Sequence, residues 1–180
     1  VEENIDKKQV KSKFIKDEKK KKFGVFIRCV STEKLCVSLS NIGGNITNTL
    51  KEILSKNIEG KCREVGYIKP HSTKIVSFSA GKLLGDSIEY SVEYSVMVYF
   101  PTEDSELECI IESVSVKIGL RAYVSEQNNP AMIFISKAYN EDLIIENYKI
   151  SQKVRIIVKG HRFEKNDEYI TILGVINLNT

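Results

Sequence analysis

Between residues 87 and 100 the chain alternates with a period of two. Ile88, Tyr90, Val92, Tyr94, Val96 and Val98 fall on one face, and Ser87, Glu89, Ser91, Glu93, Ser95 and Met97 on the other. That pattern predicts a half-buried antiparallel strand with one wet side. The C-terminal segment repeats it twice. Val154, Ile156 and Val158 share a face, as do Ile170, Ile172 and Ile176, and Glu164-Lys165-Asn166-Asp167 breaks the run between them. Two alternating stretches around a polar turn predict a closing hairpin.

A helical spacing appears upstream. Ile46, Leu50, Ile53 and Leu54 lie at i, i+4, i+7 and i+8, Asn45 or Thr47 can cap the start, and Asn57-Ile-Glu-Gly60 closes the run. Before it, 23–30 and 35–39 read as two strands, or as one interrupted at Ser31-Thr-Glu-Lys34. Further strands are predicted over 60–68 and 73–79. A strand, a helix and three or more strands make a small α+β layer with the helix lying on the sheet.

Pro101 cannot donate to a ladder and 102–105 are polar, which places a domain boundary there. Beyond it, strands are predicted over 107–117, 120–124, 132–135, 153–160 and 169–176. The first of these swaps faces: Leu107, Cys109 and Ile111 share one parity, Val114, Val116 and Ile118 the other. Such a strand needs a bulge or sharp coil, as in a barrel whose first strand serves both sheets. The expected fold class is therefore α+β, mostly β: a small α+β domain over 23–100, then a five-stranded OB barrel over 101–180.

Charge refines this picture. The net charge of the 180 residues is +3, but residues 1–22 hold nine lysines and five acids, or +4, which leaves −1 for the rest. That arm has no period and reads as disordered, with an electrostatic tether to nucleic acid as the functional alternative. Nucleic-acid contact by the body must come from local patches. No apolar run approaches the ~20 residues of a membrane span, and the charged N-terminus is no secretory signal. The chain begins with Val1, as expected if a piece precedes it.

Cys29, Cys36, Cys62 and Cys109 are scattered, and His71 and His161 lie apart. They read as reduced, packed thiols, with no metal site and no cofactor. Glu103, Asp104, Glu106 and Glu108 could hold a divalent cation, but bunched linker carboxylates are usually solvated. Ile42-Gly-Gly-Asn45 is too short for a phosphate loop, and no nucleophile has a His in a recognisable motif, so no catalytic residue is assigned.

Three segments carry a resemblance. Gly160-His-Arg162 leads through Lys165-Asn-Asp167 into the last strand; Ile58-Glu-Gly-Lys-Cys-Arg-Glu-Val-Gly-Tyr-Ile-Lys69 lies in the first half; and the strand ending Val98-Tyr-Phe-Pro101 joins the two halves. In this order they resemble the seventh, stalk-forming subunit of eukaryotic and archaeal DNA-directed RNA polymerases, over roughly 23–178. The resemblance implies a non-catalytic subunit that docks by an N-terminal tip and guides nascent RNA with its barrel. It implies as partners the largest, second-largest and sixth-subunit-like core subunits, with or without a fourth-subunit-like one. The Lys/Ile/Asn-rich wording and Ser77-Phe-Ser-Ala-Gly81 are more similar to divergent copies from large cytoplasmic DNA viruses. A viral copy would act in the host cytoplasm and virion, a cellular eukaryotic one in the nucleus.

By the same resemblance, 119–124 and 132–137 take the place of the RNA-facing strands. Arg121, Phe134 and Lys137 become candidate RNA contacts, with Tyr123 joining them if it shares the parity of Arg121. Phe134 can stack on a base, Arg121 can stack or bind phosphate, and Lys137 can offer only charge. The family has an aromatic where Arg121 stands, so stacking there is weaker and charge more prominent. Phe134 and Tyr123 are equally readable as core. Lys159, His161 and Arg162 form a second basic group, or an ordinary solvated turn. For docking, Lys61, Arg63 and Lys69 surround Gly66, Tyr67 and Ile68, read as a projecting loop, against the alternative that Tyr67 and Ile68 return into the core. Rival readings are a free-standing OB-fold RNA-binding or translation factor, which the tip-like segment opposes, and a nuclease, which the missing carboxylate or nucleophile constellation opposes.

Overall fold

The computed structural model describes residues 26–124, 129–140 and 144–177; the basic arm over 1–22 lies outside them. The first half is one sheet built around β6 (Ser87–Tyr99), the strand announced by the period-two pattern. Along one edge β6 pairs antiparallel with the whole of β1 (Ile27–Ser38). Along its other edge it takes β5 (Lys82–Leu84), β4 (Lys74–Phe78) and β3 (Gly66–Ile68) in succession, and β3 carries β2 (Cys62–Arg63). β1 is thus a single strand. The polar stretch Ser31-Thr-Glu-Lys34 does not interrupt it, because an edge strand tolerates polar residues on the ladder.

Helix α1 (Ile46–Ile58) covers one face of this sheet. Asn45 caps it, its Oδ1 accepting from the Asn48 N–H at 3.2 Å. Leu50, Leu54 and Ile58 are fully buried against Leu35, Val37, Ile68 and the inward side chains of β6. Each such side chain contributes roughly 1.5–3 kcal/mol by leaving water.

The second half is a closed five-stranded barrel. Its strands are β7 (Glu106–Ser115), β8 (Gly119–Val124), β9 (Ala131–Ser136), β10 (Lys153–Arg162) and β11 (Ile170–Ile176). The order around it is β7-β8-β9-β11-β10 and back to β7, with β9 and β11 parallel and every other pair antiparallel. The parity swap expected in the first strand is present as a register shift between Ile111 and Ser113, with Glu112 the extra residue. Gly119 closes the turn before β8 at φ +133°, where a Cβ would lie 2.1 Å from the Ile135 carbonyl oxygen.

The two halves are joined by more than the 101–105 linker. Cys62 donates its N–H to the Asp167 carbonyl at 2.7 Å and accepts from the Asn166 N–H at 2.9 Å, so β2 clasps the turn between β10 and β11. Cys62, Tyr67 and Tyr99 belong to the same apolar cluster as the barrel interior.

Candidate nucleic-acid interface

Strand alternation decides which barrel side chains face outward. On β8, Leu120, Ala122 and Val124 are buried, which turns Arg121 and Tyr123 out; on β9, Ile133 and Ile135 are buried, which turns Met132 and Phe134 out. Phe134 is 37% exposed and Tyr123 44%, so both lie on the surface and not in the core. Pairing places Arg121 opposite Phe134 and Tyr123 opposite Met132. The rows continue onto β11, where Phe134 neighbours Leu173 and Met132 neighbours Thr171, and onto β10, where Thr171 faces Arg162. Arg121, Tyr123, Phe134 and Arg162 therefore share one outer face.

The remaining candidates divide. Lys137 is exposed in the turn just after β9, and its N–H reaches the Ile118 carbonyl at 3.4 Å. Lys159 is the extra residue of a bulge in β10, and its Nζ lies 2.9 Å from Asp104 in the linker. His161 pairs with buried Ile172 and packs its ring 4.8 Å from Phe100 and 6.0 Å from Phe163, and its buried Nδ1 has no hydrogen-bond partner among the described residues. The expected second basic group is thus split: Lys159, His161 and Arg162 do not form one patch.

Two cations on the outer face are already paired. Arg121 Nε lies 2.9 Å from Glu112, at an angle too poor for a hydrogen bond, and Arg162 reaches Glu164 at 3.1 Å. The face is consequently an aromatic and apolar surface with modest positive charge. Sequence reasoning overlooked three of its parts. Met132 and Leu173 fill the rows, and Glu112 comes into play only because the bulge brings it to Arg121. The third is a flank of exposed Val116 and Ile118 in the turn before β8 and Tyr139 beyond β9. A signal existed, since two apolar residues around Lys117 in so short a turn have nothing to pack on.

The projecting loop expected at Gly66, Tyr67 and Ile68 is overturned. All three are buried, Tyr67 at 8% exposure, because β3 is an inner strand with both faces covered. Ile68 packs beneath α1, and Tyr67 faces the barrel. Gly66 has φ +118°, and a Cβ there would meet the Tyr99 carbonyl oxygen at 2.5 Å. Two of the three surrounding cations also have internal partners. Arg63 donates to the Asn57 carbonyl at 2.7 Å near the end of α1, and Lys69 sits 4.9 Å over the Phe26 ring. Half-buried Lys61 accepts at its carbonyl from the Ile68 N–H at 3.0 Å.

Elsewhere, the acids expected in the linker are partly engaged, Asp104 by Lys159, while Glu106 and Glu108 lie on β7, Glu108 reaching Lys153 at 3.7 Å. Among the described residues no three His, Cys, Asp or Glu side chains converge as a metal group. Burial pushes the Cys109 thiol up to about 12, with Glu108 adding to it, and the Cys62 thiol up to about 11, with Asp167 adding to it. Among the described residues no helix is long and apolar enough to cross a membrane. No protein-family model matches the chain.

Proposed function

We propose that this chain is a non-catalytic RNA-binding subunit whose OB barrel carries single-stranded RNA across the outer face of β8 and β9. The observation that carries this reading is the convergence of Arg121, Tyr123 and Phe134 on one exposed face of a closed five-stranded barrel. In OB folds the face of the second and third strands, with the neighbouring loops, takes up oligonucleotides. Exposed rings offer stacking to any base, and the few available cations imply weak binding with shallow salt dependence. Anisotropy of the full chain with a short labelled single-stranded RNA tests it: binding that weakens on Phe134→Ala supports the reading, and absence of binding at low salt removes it.

The setting we propose is the stalk of a multisubunit DNA-directed RNA polymerase, resting on the three colinear sequence segments. Docking there would fall to a surface other than Tyr67 and Ile68. The outer edge of the N-terminal sheet leaves Val76, Phe78, Leu83 and Leu84 exposed, and such patches usually mark contacts. A free-standing RNA-binding factor is the second reading. It gains ground from the burial of Tyr67 and Ile68, since the exposed tip was the feature that opposed it. Purification from the source separates them: a stalk subunit co-migrates with the large polymerase subunits.

A further inference from the structure

A cleft of about 370 Å³ opens where the barrel meets the N-terminal sheet. It is lined by Tyr67 of β3, Arg121 and Tyr123 of β8, Asn129 ahead of β9, and Glu168 and Tyr169 ahead of β11. Because Arg121 and Tyr123 also belong to the outer face, the cleft is continuous with the surface proposed to carry RNA. Its size lies at the low end of the ~300–1,000 Å³ of small-molecule sites, which suits one nucleoside.

The polar groups define what fits. Asn129 Oδ1 accepts from the Ala131 N–H at 2.9 Å, which fixes the amide, and among the described residues its buried Nδ2 has no acceptor. Glu168 is exposed and makes no ion pair among the described residues, so its carboxylate is free to accept. Arg121 is engaged by Glu112 at 2.9 Å. Two carboxylates against one engaged guanidinium make the cleft a poor phosphate site, whereas the half-exposed rings of Tyr123 and Tyr169 suit the face of a base. Burial, then Cys62 and Glu168, push the Tyr67 phenol up, so it stays a donor.

We propose that this cleft receives a single guanine base, turned out of the RNA strand that crosses β8 and β9; the proposal rests on the RNA-binding reading above. Guanine's Watson–Crick edge carries one carbonyl and two adjacent N–H donors. Between the rings of Tyr123 and Tyr169, the Glu168 carboxylate takes both donors. Uracil offers a single N–H, and adenine and cytosine place an amine beside a ring acceptor, so each leaves the carboxylate half-used. The phosphates stay outside, along Arg162 and Lys137.

The test compares the full chain's affinity for an all-uridine octamer with that for the same octamer carrying one central guanosine. The guanosine is expected to gain about tenfold, as one bidentate base contact does. Glu168→Ala, at an exposed position, should abolish the gain and leave the all-uridine affinity unchanged. Equal affinity for both octamers in the parent overturns the cleft and leaves the RNA reading standing, and a guanosine gain that survives Glu168→Ala also overturns it. If neither octamer binds, guanosine monophosphate is titrated while the tyrosine ring protons are followed by NMR. Shifts that vanish in Glu168→Ala support the cleft while the RNA reading falls, and no shift removes both.

Discussion

Arg121 and Phe134 stand directly opposite each other on β8 and β9, a cation and a ring presented together to solvent. Phe134→Ala should leave the barrel folded, since the ring is not part of its interior. It should weaken RNA binding by about 1–3 kcal/mol if the ring stacks on a base. Titration of folded variant and parent with the same RNA checks this, and unchanged affinity removes the stacking role.

Glu112 restrains the other member of that pair. An exposed ion pair is worth only about 0.2–1 kcal/mol, so Glu112→Gln should cost little stability. It should release Arg121 to the RNA, raising affinity up to about fivefold and steepening the salt dependence. Arg121→Ala should then cost more in the Glu112→Gln background than in the parent. A double-mutant cycle measured at several salt concentrations decides it.

Tyr67 fills the seam between β3 and the barrel. Tyr67→Ala should destabilise the whole chain by about 3–5 kcal/mol, as large-to-small substitutions of buried aromatics do. A docking residue would behave differently, losing a partner while keeping its denaturation midpoint. Urea unfolding of the purified variant separates the two.

The thiols should react in order of access. Cys36 is exposed and Cys29 half-buried with a raised pKa, from burial, while Cys62 and Cys109 are enclosed and protonated. A thiol reagent at pH 8 should label Cys36 first, Cys29 slowly, and the other two only on unfolding. Above the ordinary thiol value of 9.0 the unfolded chain loses protons that folded Cys62 and Cys109 keep up to about 11 and about 12. Their contribution is therefore complete below pH 9 and is lost as pH rises towards those values. Replacing both by Ala should flatten the decline in stability over that window, as measured by urea midpoints at each pH.

The barrel was legible because its strands are amphipathic. Buried and exposed residues alternate, and the parity swap between Ile111 and Val114 marked the bulge directly. α1 was legible through its spacing and cap. β5 was not, because Lys82–Leu84 is too short to show a period and pairs only as the return arm of a tight hairpin. Tyr67 and Ile68 misled because adjacent apolar residues look alike in an exposed loop and in a strand covered on both faces; only tertiary packing distinguishes the two. The basic cluster at 159–162 failed for a related reason. Neighbours along a strand point to opposite faces, and the bulge at Lys159 turned one aside as well. That Arg121, Tyr123 and Phe134 share an outward face was legible because their separations obey simple alternation within two short, regular strands.

The clasp between Cys62 and the turn at 166–167 is made of peptide groups alone. Most point substitutions swap side chains and leave such bonds available. The exceptions are proline at 62 or 166, which removes a donor, and residues that resist the positive φ of 74° at Asn166. Other drift in sequence can repaint both halves without loosening the clasp. Insertion or deletion of a residue in that turn is what would shift it. The heading of the barrel relative to the N-terminal sheet is thus written into backbone length. Any body that grips that sheet would inherit a fixed bearing for whatever strand leaves along β8 and β9.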